Sequence, residues 1–116
     1  MKVILITRDG KFQELEVKDK FDVPNHFNSW SHFMNSVAAI AYQTNSETWL
    51  VEELTGDYSE YDGLYGGIKE INFDKDDEFG FDVAIYNYDT WGNGKTKEDA
   101  IKDMLVAILD QQMIKV

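Results

Sequence analysis

Apolar positions along this 116-residue chain recur in places every second residue and in others at helical spacing, and the change between the two periods predicts the order of elements. Val3 to Thr7 is rich in β-branched residues and reads as a buried strand. Asp9-Gly10 follows as a two-residue hairpin signal, since glycine accepts the positive φ such turns need. Phe12, Leu15 and Val17 then stand among polar residues in a second strand. Pro24, the only proline, separates this hairpin from a helix capped by Asn28 or Ser29. Trp30, Phe33, Met34, Val37, Ile40 and Ala41 repeat along that helix at its own period.

Thr48 to Leu54 predicts a third strand, with Trp49 and Val51 on one side and Leu50 on the other. Gly56 to Gly67 reads as a loop. Ile68 to Phe73 and Phe79 to Tyr88 predict two further strands, joined by the acidic turn Asp74-Lys75-Asp76-Asp77-Glu78. Phe79, Phe81, Val83 and Ile85 alternate, so one face of the last strand is buried. Asn93-Gly94 ends the region. Thr96-Lys97-Glu98-Asp99 opens a closing helix with a capping-box-like start, and Ile101, Met104, Leu105, Ile108 and Leu109 mark its apolar face. The expected fold is one α+β domain over residues 1–116. Its antiparallel sheet has about five strands, two helices lie on one face, and the order is ββα-βββα.

Composition narrows the class. A hydrophobic fraction of 43%, with 7 Phe, 6 Tyr and 3 Trp, argues against disorder. The absence of cysteine excludes disulfides, thiolate chemistry and cysteine-ligated zinc. The apolar run at the N-terminus is too brief for a signal peptide or a membrane span. A soluble, cytoplasmic protein is expected, with no membrane partner.

Charge changes the picture most. Fourteen of the 22 acids lie between Phe21 and Gly94, but only two of the eleven Lys and Arg residues do, so the middle carries −12 of the net −11 and the ends together carry +1. Folded surfaces usually mix both signs, because like charges repel. A one-signed field on a small domain points to a partner of opposite sign, and a pI near 4.4 disfavours direct nucleic-acid binding, which needs Lys and Arg.

The candidate chemistry is weaker than the charge. Counted as an EF-hand from Asp74, the sixth and twelfth positions hold Phe79 and Ile85 instead of Gly and Glu. His26 and His32 are six apart, not the three or four that would put two ligands on one helical face, even with Asp22 nearby. No metal or other cofactor is expected. Serines at 29, 31, 36, 46 and 59 form no nucleophile elbow. Glu52 and Glu53 are a candidate acid–base pair, but neighbours on a strand point to opposite faces. Gly94-Lys95-Thr96 begins a helix as a phosphate loop does, yet Asp89 stands where the Walker pattern needs glycine. No catalytic residue is assigned.

Aromatics interleave with acids in Asp57-Tyr58-Ser59-Glu60-Tyr61-Asp62 and in Tyr86-Asn87-Tyr88-Asp89-Thr90-Trp91. Aromatics with acids suit a protein interface, where Tyr and Trp anchor and carboxylates meet Arg or Lys. The expected partner-binding residues are Asp57, Tyr58, Glu60, Tyr61, Asp62, Asp74, Asp76, Asp77, Glu78 and Trp91. Alternate strand residues lie about 6.6 Å apart and DNA advances about 3.4 Å per phosphate, so rows such as Asp74, Asp76 and Glu78 suit a groove built for nucleic acid.

Over residues 68–109 the chain resembles the HicB-like antitoxin half-domain, through Asp76-Asp77-Glu78-Phe79-Gly80-Phe81 and Gly94-Lys95-Thr96-Lys97-Glu98-Asp99-Ala100-Ile101. Tyr88-Asp89-Thr90-Trp91 stands where that family has a proline–glycine segment. The resemblance implies a β-β-α arrangement. In composition the chain is also similar to small acidic phage proteins directed against host defences, such as anti-CRISPR and anti-restriction proteins. The expected function is a non-enzymatic acidic protein that blocks a basic, nucleic-acid-handling site on a partner protein, a nuclease for instance. The alternatives are an antitoxin or immunity protein neutralising a cognate toxin, a small carboxylate-based enzyme, or a structural phage subunit.

Overall fold

In the computed structural model, which describes residues 1–54, 68–76, 80–85 and 90–114 apart from the side chains of Asp76, Ala84, Ile85, Met113 and Ile114, the first hairpin forms, but Arg8 to Lys11 separate its strands where a two-residue turn was expected. Strand β1 (Lys2–Thr7) turns into β2 (Phe12–Glu16). Gly10 takes φ 86 at the turn, and its N–H donates to the Thr7 carbonyl at 2.9 Å. A short 3-10 helix follows over Lys20–His26, started by the Asp19 carboxylate, which accepts from the N–H groups of Phe21 and Asp22. Helix α1 (Trp30–Ser36) is capped by Ser29, whose hydroxyl accepts from the His32 N–H at 3.0 Å. The remaining elements are β3 (Val37–Gln43), β4 (Trp49–Glu53), β5 (Ile68–Asp76), β6 (Gly80–Ile85), β7 (Thr90–Gly94) and α2 (Lys97–Ile114). The Thr96 hydroxyl caps α2 by accepting from the Asp99 N–H at 3.1 Å.

The α+β class holds, but the details differ from expectation. Among the described residues the sheet has seven strands in the order β2-β1-β3-β4-β5-β6-β7, and every pairing there is antiparallel. The helix expected to reach Ala41 stops at Ser36, and Val37, Ile40 and Ala41 belong to the central strand β3. The cause is burial: Val37 to Tyr42 is covered on both faces, and a doubly buried strand reads as a continuous apolar run that helical spacing also fits. Arg8 secures the break. Its backbone N–H donates to Ser36, and its guanidinium donates to the carbonyls of Met34, Asn35 and Leu54. Asp74, Lys75 and Asp76, expected in a turn, continue strand β5, and Asn93-Gly94 closes an additional strand, β7.

Helices lie on both faces, not on one. Helix α2 packs Ile101, Met104, Leu105 and Ile108 against Ile4, Ile6, Ala41, Trp49, Val51, Ile71 and Val83. On the opposite face the 3-10 helix and α1 bring Val23, Phe33 and Met34 onto Val3, Leu5, Ile40, Tyr42 and Leu54. This second core rests on β1 to β4 only, so the same face of β5, β6 and β7 has no helix over it among the described residues.

The two sheet edges are treated differently. Edge strand β7 lies hard against α2: a Cβ on Gly92 would come within 2.4 Å of the Met104 nitrogen, and one on Gly94 within 2.6 Å of the Ala100 nitrogen. The Asn93 N–H donates to the Asp103 carboxylate at 3.0 Å, and the Gln111 side-chain amide donates to the Thr90 hydroxyl at 2.8 Å. The other edge, β2, exposes Phe12, Gln13, Glu14 and Glu16.

Candidate functional site

Strand alternation sorts charge by face. Along β5, Ile71 and Phe73 point to α2, which puts Lys69 and Lys75 on that side and Glu70, Asn72 and Asp74 on the open side. On β6, Phe81 and Val83 pack toward α2, so Asp82 faces outward with Asp74. In register, Asp74 stands directly opposite Asp82, and Asp82 opposite Asn93. The next row runs Asn72, Ala84, Trp91. On this face a concavity of about 440 Å³ has walls that include Asn72, Asp74, Asp82, Trp91 and Asn93. Trp91 is the most exposed of the large apolar side chains described, at 68%.

Like charges directly opposite one another across strands are destabilising. Here the pair has no ion-pair partner among the described residues. Lys2 pairs with Glu98, Lys11 with Asp9, Lys20 with Glu52 and Lys102 with Glu14, all away from Asp74 and Asp82. The Lys97 ammonium lies 5.1 Å from the Phe73 ring centroid, on the α2 side of the sheet. Among the acids of the chain's middle, Glu52 is neutralised by Lys20. Glu47, in the β3–β4 turn, and Glu53, on the α2 side, lie away from the concavity.

The expected binding residues fare unevenly. Asp74 and Trp91 come together in the concavity. Asp57, Tyr58, Glu60, Tyr61, Asp62, Asp77 and Glu78 lie outside the described residues. Asp76 is in β5, paired with Gly80. The sequence reading missed Asp82, Asn72 and Asn93. The signal for Asp82 was present, since the alternation of Phe81 and Val83 sends the residue between them to the other face. Asn93 went unseen because the strand that carries it was not expected.

Glu52 and Glu53 point to opposite faces, as strand geometry requires. Glu52 is fully buried under the 3-10 helix, and its carboxylate accepts from the Lys20 ammonium at 2.7 Å. Beside it the Tyr42 hydroxyl has its pKa pushed far up, first by burial and then by the Glu52 charge. This cluster is closed to solvent and ties the 3-10 helix to the sheet. His26 and His32 are both exposed, and among the described residues no three His, Asp or Glu side chains are grouped to hold a metal ion. No helix among those residues is long and apolar enough to cross a membrane.

No family model, curated protein or solved structure matches the chain. Function is therefore argued from the geometry of the site.

Proposed function

We propose that the chain is a non-enzymatic binding protein whose open acidic sheet face occupies a basic, nucleic-acid-handling surface on a partner protein. The observation that carries this reading is the Asp74–Asp82 pair. Two carboxylates face each other beside an exposed tryptophan, while both lysines of the same strand turn to the opposite side. A cationic partner relieves that repulsion, and Trp91 supplies the contact area typical of an interface anchor. Opposite charge also steers encounter, which makes the association rate sensitive to salt.

The test is affinity capture from a bacterial lysate, followed by competition. The captured partner should be basic and should be released by raised salt. Its binding to duplex DNA should be competed by the wild-type chain and not by Asp74→Asn/Asp82→Asn. A partner held equally well at low and high salt, or bound unchanged by the double variant, would sink the proposal.

A further inference from the structure

We propose that the concavity walled by Trp91, Asp74 and Asp82 receives an arginine side chain of the basic partner; this deepens the reading above and rests on it. The concavity joins three features that suit a guanidinium better than an ammonium. Its wall is an indole that is 68% exposed, and arginine stacks flat on aromatic faces where lysine presents a compact point charge. Asp74 and Asp82 are direct cross-strand neighbours, whose Cβ atoms lie about 4.5–5.5 Å apart by strand geometry. A planar fork of N–H groups can bridge that separation, and a single nitrogen does so poorly.

The third feature is the count of acceptors. A guanidinium carries five N–H donors and accepts nothing. Asp74 and Asp82 offer carboxylate oxygens, and Asn72 and Asn93 add carboxamide oxygens from the same walls. A volume of about 440 Å³ accommodates one long side chain with its aliphatic stem. Phosphates and other anions are repelled by the paired carboxylates, so the site selects by sign first and by shape second.

The test uses the full chain and two labelled peptides, hexa-arginine and hexa-lysine, titrated in low-salt buffer and read by fluorescence anisotropy. Hexa-arginine should bind about tenfold more tightly, the scale of one partly desolvated cation–π contact. Trp91→Ala should bring the two peptides level, and so should Asp74→Asn/Asp82→Asn. Glu47→Gln/Asp110→Asn removes two charges from exposed sites outside the concavity, so it should weaken both peptides alike and keep the preference. Trp91 is at the surface, so its replacement keeps the test informative even if the double aspartate variant fails to fold. Equal, salt-sensitive binding of both peptides by the wild type overturns the arginine pocket and leaves the acidic-face reading standing. A preference that survives Trp91→Ala also overturns the pocket. If neither peptide binds at low salt, both proposals fall.

Discussion

Lys20 and Glu52 show how one ion pair can decide where a whole segment lies. Glu52 is fully buried, the Lys20 side chain is 10% exposed, and their atoms meet at 2.7 Å. Removing one member leaves the other charge buried, which costs about 3–5 kcal/mol. Glu52→Gln and Lys20→Met should each lose stability on that scale in chemical denaturation. The double replacement Lys20→Met/Glu52→Leu should lose less than the two singles together, because well-packed apolar side chains replace a buried pair at little cost. Tyr42, next to this pair, predicts a pH dependence. Its folded-state pKa is raised above the ordinary value of 10.0 by burial and by Glu52. The unfolded chain therefore releases this proton first, and the stabilisation present below pH 10 is lost as pH rises beyond it. Tyr42→Phe should reduce the fall in unfolding free energy between about pH 8 and about pH 11 relative to wild type. An unchanged slope would show that Tyr42 ionises alike in both states.

Helix α2 and strand β7 depend on each other through what their contact lacks. Gly92 and Gly94 let the helix backbone approach the strand so closely that no side chain fits between them. Gly92→Ala places a methyl group against the backbone of Ala100 and Met104, where neither neighbour is a flexible side-chain end. Overpacking of this kind costs about 1–3 kcal/mol, sometimes more, and thermal denaturation should show it as a Tm lowered by several degrees per kcal/mol. The same contact explains why β7 was hidden in the sequence. Thr-Trp-Gly-Asn-Gly has poor strand propensity, and it is a strand because α2 and β6 hold it on two sides. The first hairpin, the caps at Ser29 and Thr96 and the face of α2 were legible, because each depends on residues close together in the chain. The boundary at Ser36 was not. Val37, Ile40 and Ala41 satisfy helical spacing and strand burial equally, and only pairing with β1 and β4 selects the strand.

At the scale of the molecule, one sheet separates two cores and two kinds of surface. The concentration of acid in the middle of the chain was plain from composition, but composition could not say which way each side chain points. Strand β5 supplies that: odd positions carry Lys69 and Lys75 toward α2, and even positions carry Glu70 and Asp74 away from it. The proposed binding face was thus legible only in part. Asp74 and Trp91 were anticipated as separate signals, whereas their meeting with Asp82 and Asn93 depends on cross-strand register. The unequal edges have a further consequence for self-association. Strand pairing between molecules needs free backbone groups, and at β7 the Asn93 N–H is already taken by Asp103 with α2 packed alongside. Among the described residues, β2 is the edge without a helix packed along its backbone in this way. Two copies joined through β2 would each present at the outer end a β7 edge with α2 packed along it, which disfavours further strand-on-strand growth.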